Sequence, residues 1–176
     1  SVAVPVGQAT ADKLVEKLIP RVESLKVGLS SDTAADYGPM VTRDAVERVK
    51  NYIDIGIKEG AKLKVDGRGF KMQGYENGFF MGGCLFDDVT PDMRIYKEEI
   101  FGPVLSVVRA KNYEEALALA NDTEFGLAAG IATTSLKHAT HFKRHAQAGM
   151  VMVNVPTAGV DYHVPFGGRK GSSYGP

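Results

Sequence analysis

Cysteine is almost absent from this 176-residue chain, which has a single one, Cys84, and no tryptophan. One cysteine excludes an intrachain disulfide framework and a metal site built from several cysteines, and it agrees with a reducing compartment. No apolar run approaches the ~20 residues that span a bilayer. The first residues, SVAVPVGQAT, also lack the basic start of a signal peptide. We therefore expect a cytoplasmic protein without a membrane partner.

Net charge of either sign is lacking too. The 21 basic and 21 acidic residues cancel to a formal charge of +0, so bulk electrostatics gives no reason to expect nucleic acid as a partner. What is present is a globular composition, with 44% hydrophobic residues, and a length that suits one domain. Because the chain opens without methionine and stops in a Gly-rich stretch, we expect it to be truncated at both ends.

Apolar periodicity predicts two helices in the first third of the chain, over residues 11–28 and 42–60. Pro20 is expected to kink or break the first. Thr42 is a candidate N-cap and Gly60 a candidate stop for the second.

The rest of the chain alternates between predicted strands and helices. Strands are predicted over residues 61–67, 78–86, 102–110, 126–134 and 150–155, and helices over 112–122 and 135–149, the last with Ser135 as N-cap and Gly149 as stop. Strands separated by helices of this length favour right-handed crossovers on a parallel sheet. We predict an α/β fold of three αβα layers, with a mostly parallel sheet covered by helices on both faces.

The segment YKEEIFGPVLSVV, residues 96–108, carries adjacent carboxylates, Glu98 and Glu99, before a Gly-Pro bend and a predicted strand. Neighbouring side chains point to opposite faces of a strand, so the two glutamates are not expected to form an acid and base pair. One is expected to face a site and the other solvent or a cation. Ligands collect beside strand ends in parallel sheets, which favours a functional role for one glutamate; a solvated loop is the alternative.

The tail VPFGGRKGSSYG, residues 164–175, combines glycines with Arg169 and Lys170. This composition suits a phosphate, yet the tail has neither a GxxxxGK(S/T) nor a GxGxxG motif. The alternative is a structured turn whose glycines adopt positive φ and let Phe166 pack.

Histidine and cysteine give no strong signal of chemistry. His138, His141 and His145 share one predicted helix at a spacing that some metal sites use. No HExxH motif is present and the helix also carries several cations, so we expect a solvated face and no metal. Cys84 lies in an apolar run without an activating base, which indicates a buried core residue and not a nucleophile.

Four strings resemble the aldehyde dehydrogenase superfamily in order and spacing. They are KEEIFGPV (97–104), NDTEFGLAAGI (121–131), GMVMVN (149–154) and PFGGRKGSSYG (165–175). Residues 38–63 are also similar to a helix of that family, so the resemblance covers essentially the whole chain. It implies that residues 1–176 are a partial catalytic domain without the cysteine nucleophile, the general base, the cofactor-binding domain or the C-terminal oligomerisation segment.

The resemblance also implies an activity. The parent protein is expected to be a homo-oligomer that uses NAD or NADP to oxidise a semialdehyde through a cysteine thiohemiacetal, with water or coenzyme A as acyl acceptor. The chain by itself is expected to be inactive. The alternatives are a structural or interaction domain that kept the fold without the chemistry, and a nucleotide-binding protein unrelated to aldehydes.

By the same resemblance, Glu99 matches a glutamate that binds the nicotinamide ribose hydroxyls, and Phe101 an aromatic residue beside the nicotinamide ring. Asn154 matches a supporting asparagine near the active site. Phe166 matches an aromatic residue of the substrate tunnel, and Arg169 is a candidate for binding a carboxylated substrate. No catalytic residue is carried over.

The subfamily signal is divided. Residues 74–110 resemble methylmalonate-semialdehyde dehydrogenases, which use coenzyme A, whereas residues 125–175 resemble hydrolytic α-ketoglutarate-semialdehyde dehydrogenases. The identity of the semialdehyde, the acyl acceptor and the choice between NAD and NADP stay open.

Overall fold

The computed structural model describes residues 1–173, and its elements alternate much as predicted. In chain order they are β1 (Val2–Ala3), α1 (Gln8–Glu23), α2 (Arg43–Lys58), β2 (Lys62–Val65), β3 (Cys84–Asp87), α3 (Arg94–Lys97), β4 (Val104–Val107), α4 (Tyr113–Asn121), β5 (Phe125–Gly126), β6 (Ala128–Ile131), α5 (Leu136–His145), β7 (Met150–Val153) and β8 (Arg169–Lys170). The chain divides into two compact units, Ser1–Ala110 and a second that begins at Lys111.

The sheet of the first unit has the strand order β1-β4-β3-β2. Val2 of β1 lies opposite Ser106 of β4, and Cys84 of β3 lies opposite Val104, both in parallel register. Strand β2 runs antiparallel to β3. The predicted, mostly parallel pairing is therefore confirmed.

Helices cover both faces of this sheet. Val15 of α1 packs in one apolar cluster with Leu85 and Val107. Phe86 follows Leu85 on the same strand and so points to the opposite face. There its ring lies so close to α2 that a Cβ on Gly56 would be 3.2 Å from it. The predicted three-layer arrangement is confirmed for the first unit, since each face of the sheet buries apolar side chains against a helix.

The first helix passes through Pro20 instead of breaking there. α1 continues to Glu23, and the amide of Ser24 donates to the Pro20 carbonyl at 3.1 Å. Proline removes one backbone donor, but Pro20 lies in the final turn, after Val15 has already packed on the sheet. Tertiary packing supplies most of the stability of such a helix. The predicted helix is confirmed. Of the kink or break expected at Pro20, a break does not occur.

Both predicted N-caps are confirmed. The Thr42 hydroxyl accepts a hydrogen bond from the Ala45 amide at 3.1 Å, and the Ser135 hydroxyl accepts one from the His138 amide at 3.2 Å. Each satisfies one of the free donors at a helix start. Gly60, with φ of 101°, follows the end of α2 as predicted.

Gly149 does not end α5, contrary to the prediction. The helix stops at His145, and Ala146 is already extended. Gly149 serves a different purpose, since a Cβ there would lie 2.0 Å from the Gly167 carbonyl oxygen. The position needs glycine because two backbone segments meet there.

The second unit contains a βαβ crossover. Strands β6 and β7 are parallel, with Ala128 opposite Met150, and α5 connects them. Strands β5 and β8 form a separate antiparallel pair, with Gly126 opposite Arg169. Over residues 1–173, no helix is long and apolar enough to cross a bilayer.

Candidate functional site

The two adjacent glutamates follow a one-turn helix, α3, and not a strand. Glu98 caps α3: its backbone is extended, with φ of −101° and ψ of 149°, and its amide donates to the Arg94 carbonyl at 2.8 Å. Neither glutamate belongs to a strand, so the strand alternation on which the expectation relied is not present here. Their contacts separate them instead.

Glu98 is engaged on both carboxylate oxygens. Arg94 donates from Nε to Oε1 at 2.7 Å and from Nη2 to Oε2 at 2.9 Å. The Tyr52 hydroxyl donates to Oε2 at 2.6 Å, and the Arg94 guanidinium lies 5.6 Å from the centre of the Tyr52 ring. The Arg94 hydrogen bonds, and then the Tyr52 hydroxyl, lower the pKa of Glu98 to about 2. Glu98 is the glutamate that meets a cation.

Glu99 is free for a ligand. Over residues 1–173, no hydrogen bond or ion pair holds its carboxylate, and it lines an open cavity of about 230 Å³. The cavity wall consists of Ser1, Val2, Ile95, Tyr96, Glu98, Glu99, Ile100, Phe101 and Gly102. Burial lowers the pKa of the Ser1 amine, and the Glu99 charge partly offsets this effect. Glu99 is thus an exposed acceptor at the edge of a concave surface.

Phe101 lines the same cavity in an unusual conformation. Its φ is 56°, a left-handed backbone value that residues other than glycine adopt at a cost of about 1–3 kcal/mol. The ring is nevertheless 68% exposed. A large apolar side chain that is both strained and exposed is typical of a ligand site.

The residues on either side of Phe101 hold it in place. Ile100 is buried, with 6% exposure, and Gly102 lies so close to α2 that a Cβ would be 2.5 Å from Cγ2 of Val49. The 98–102 loop therefore packs against α2, while the side chains of Glu99 and Phe101 remain exposed to solvent.

Asn154, in the second unit, connects the ends of two strands. Its φ is 59°, which asparagine tolerates better than most residues. Its side-chain oxygen accepts from the Thr133 amide at 2.8 Å, and its side-chain nitrogen donates to the Thr133 carbonyl at 2.9 Å. Both ends of the amide are occupied, which agrees with a supporting role.

The other predicted site residues of the second unit are on the surface. Phe166 is 72% exposed. Arg169 lies on β8 and is exposed, and within the described part of the chain no ion pair or hydrogen bond involves its guanidinium. The tail motif runs to Gly175, and its residues after Ser173 lie outside the described residues.

Lys170 is not available to a phosphate. Its ammonium donates to the carbonyls of Asn121 at 2.7 Å and Thr123 at 2.9 Å. It therefore provides hydrogen-bond donors to free carbonyls at the carboxyl end of α4, where a cation is favourable. Of the two cations that suggested a phosphate loop, only Arg169 is free of such a contact within the described residues. The structured-turn alternative is also wrong in its details, because the described glycines of the tail do not have positive φ, Lys170 has it instead at 55°, and Phe166 is exposed.

Cys84 is a core residue, as predicted. It is 1% exposed, its sulfur accepts from the Gly67 amide at 3.2 Å, and burial raises the pKa of its thiol. Both the burial and the raised pKa oppose formation of a thiolate.

The histidines of α5 stack on aromatic neighbours. The Tyr113 ring lies 4.3 Å from the His138 ring, and His141 lies 3.8 Å from His145. The Tyr113 hydroxyl is 2.9 Å from Nδ1 of His141. In the part of the chain that the structure describes, no group of three or more His, Cys, Asp or Glu side chains is placed to hold a metal ion.

Comparison with known proteins decides the family. The sequence pattern of the aldehyde dehydrogenase family matches residues 3–176. The chain belongs to this family. The four strings that predicted it are confirmed, and so is the α/β class of the fold.

Three relatives of this aldehyde dehydrogenase chain are named for semialdehydes. A malonate-semialdehyde dehydrogenase of Pseudomonas aeruginosa is 52% identical and covers 99% of this chain. An acylating mitochondrial methylmalonate-semialdehyde/malonate-semialdehyde dehydrogenase of Bos taurus is 43% identical over 99% of it. An α-ketoglutarate semialdehyde dehydrogenase of Haloferax volcanii is 43% identical over 96%. Relatives of both predicted subfamilies are therefore found.

A solved structure agrees with the fold. A Sinorhizobium meliloti protein complexed with NAD superposes on 100% of this chain with a TM-score of 0.93 and 58% identity. The chain spans 35%, 32% and 34% of the three relatives above and 36% of this structure. It thus corresponds to about a third of the length of the proteins it matches.

Proposed function

We propose that residues 1–176 form part of the catalytic domain of an NAD(P)-dependent aldehyde dehydrogenase that oxidises a semialdehyde to an acid or an acyl-CoA. The observation that carries the proposal is the cavity where the free carboxylate of Glu99 and the exposed ring of Phe101 meet. Family membership over residues 3–176 supports it. The greater length of the relatives supports a partial domain.

The two residues fit the nicotinamide end of the cofactor. A carboxylate that no hydrogen bond from the described residues occupies can accept hydrogen bonds from two neighbouring ribose hydroxyls, and charge makes these bonds strong. The exposed Phe101 ring offers an apolar surface that limits the positions of a flat heterocycle. NAD(P), when bound, supplies the hydride acceptor. The role of this chain is to bind and orient the cofactor, since Glu99 holds the ribose and Phe101 restricts the position of the nicotinamide ring.

The nucleophile of the reaction is proposed to lie outside these 176 residues. The chain has one cysteine, and that residue is buried with a raised thiol pKa. A thiohemiacetal requires an accessible thiolate beside the substrate. We therefore propose that the nucleophile lies in another part of the protein. The family resemblance is the reason to propose the same for the general base.

The substrate is proposed to be a short aldehyde that also carries a carboxylate. The names of the Pseudomonas and Bos relatives support this class. The Arg169 guanidinium, which has no ion pair or hydrogen bond within residues 1–173, is the proposed partner of the carboxylate. Phe166 is the proposed lining of the tunnel, and Asn154 a support. The acylating name of the Bos relative supports coenzyme A as acceptor.

The remaining parts of the proposal concern the whole protein. We propose a cytoplasmic homo-oligomer whose partner is a small aldehyde and not nucleic acid. The balanced charge of the chain supports the last point.

The test is Glu99→Gln in the full-length enzyme. Removal of the charge weakens both ribose hydrogen bonds, so the KM for NAD should rise by about tenfold, equivalent to ~1.4 kcal/mol. The KM for the aldehyde should change by less than about twofold. Steady-state NADH production measures both constants.

Glu16→Gln is the matched control, because Glu16 is an exposed glutamate on α1, away from the cavity wall. It should leave both constants unchanged. Equal KM values for NAD in the two variants would contradict the proposed role of Glu99.

A further inference from the structure

We infer that Tyr52 and Arg94 are positioning residues for cofactor binding, which act by holding Glu98 at the start of the 98–102 loop. The inference rests on the proposed function. Neither residue belongs to the wall of the cavity, so neither is expected to touch the cofactor. Their effect would reach it through the backbone between Glu98 and Phe101.

Hydrogen bonds from two residues restrain both carboxylate oxygens of Glu98. Arg94 holds both carboxylate oxygens, and Tyr52 holds one of them from α2. A carboxylate bound by a guanidinium fork has a fixed plane as well as a fixed position. The hydroxyl of Tyr52 adds a connection across 46 residues of sequence. The orientation of the residue that follows, Glu99, is thereby restricted.

One face of α2 carries this whole arrangement. Val49, Tyr52, Gly56 and Glu59 are spaced by three or four residues, so they lie in a line along the helix. Val49 meets Gly102, Tyr52 meets Glu98, and Gly56 makes room for Ile95. The Glu59 carboxylate accepts from the Arg94 amide at 2.9 Å. The segment from Arg94 to Gly102 therefore packs along one face of α2.

The strained backbone of Phe101 makes these attachments necessary. A residue in the left-handed region persists only where its surroundings determine it more strongly than its own preference. The attachments lie on both sides of Phe101, at Glu98 before it and at Gly102 after it. Loss of one attachment lets Phe101 relax toward negative φ, which moves both cofactor ligands.

The test is Tyr52→Phe in the full-length enzyme, which removes a single hydroxyl and keeps the ring under Arg94. The KM for NAD should rise by about three- to tenfold, as expected for the loss of one hydrogen bond to a charged group. The kcat at saturating NAD and the KM for the aldehyde should stay within about twofold. Tyr75→Phe is the matched control, because Tyr75 is half exposed and packs against Phe80 outside this arrangement.

A second measurement separates positioning from a general loss of structure. Tyr52→Phe in a Glu98→Ala background should cause no further rise in the KM for NAD, since Tyr52 acts through the Glu98 side chain and alanine offers its hydroxyl no acceptor. A full additional rise would overturn the inference. An equal fall in kcat for all substrates, together with a lower unfolding midpoint, would also overturn it.

The inference and the proposed function fail in different ways. If the unmodified enzyme oxidises no aldehyde with NAD or NADP, the proposed function is wrong and the inference falls with it. If the unmodified enzyme is active and Tyr52→Phe matches Tyr75→Phe in every constant, the inference alone is wrong.

Discussion

At the scale of single residues, the backbone of Phe101 gives the sharpest prediction. With φ of 56°, glycine suits this position better than any residue that has a Cβ. Phe101→Gly should therefore be more stable than Phe101→Ala by about 1 kcal/mol. The free energy of unfolding from urea titrations of the two variants gives the difference directly.

Phe70 provides the control for this comparison, since its φ is −62°. There the order should reverse, with Phe70→Ala more stable than Phe70→Gly by about 0.5–1 kcal/mol, because glycine loses more freedom on folding. If alanine were also the better residue at position 101, its backbone would not be strained.

Glu98 and Glu99 show which contacts of single residues can be predicted from the sequence. The neighbours of each glutamate in sequence are similar. Neither glutamate lies on a strand as expected, although the expected outcome, one carboxylate on a cation and the other at a cavity, agrees with their contacts. The i,i+4 spacing of Arg94 and Glu98 was visible in the sequence. The contact from Tyr52 was not, because 46 residues intervene and only the fold brings the hydroxyl to the carboxylate.

At the scale of secondary structure, the contact between Gly102 and α2 leads to a second prediction. A Cβ on Gly102 would lie 2.5 Å from Cγ2 of Val49, so Gly102→Ala must push the loop away from the helix. We expect the free energy of unfolding to fall by about 2 kcal/mol, within the range for overpacked cores. Chemical denaturation with an unchanged m-value would show it.

Two further variants check the cause. Gly69→Ala adds the same methyl group where no atom lies within 4 Å of the new Cβ, and it should leave stability within about 0.5 kcal/mol. Gly102→Ala combined with Val49→Ala should be less unstable than the two single losses added together. Simple additivity would mean that the two positions do not press on each other.

Elements were predicted well where periodicity was long. α2 spans 16 residues, and its apolar face and its N-cap were both readable from the sequence. α3 has 4 residues, too few to show a helical period. β5 and β8 have 2 residues each and exist only because Phe125 pairs with Lys170, a contact that no local pattern encodes.

At the scale of the whole molecule, we predict that the 176-residue chain alone produces no NADH from NAD and aldehydes. Its one thiol is buried and has a raised pKa, so covalent capture of an aldehyde has no nucleophile. The increase in absorbance of NADH, followed with malonate semialdehyde and with simple aldehydes, measures this. Turnover that survives replacement of Cys84 by Ser would contradict the proposed division of the active site.

The family and the class of the fold were the most predictable features of the molecule. Four short strings in a fixed order identify the superfamily, because agreement of several motifs in sequence is much stronger evidence than any one of them. The division into units at Ala110 and Lys111 was not predicted. It follows no linker composition, since SVVRAKNYEE has neither a Gly-Pro-rich nor a low-complexity character.

The line of residues along α2 restricts how this sequence can vary. Val49 and Gly102 are in such close contact that a larger residue at one position demands a smaller one at the other. Tyr52, Arg94 and Glu98 form a set that must keep complementary hydrogen-bonding groups. Substitutions on α2, a helix that does not border the cavity, are thus constrained by substitutions in the 98–102 loop. Related chains should therefore vary at these positions in pairs.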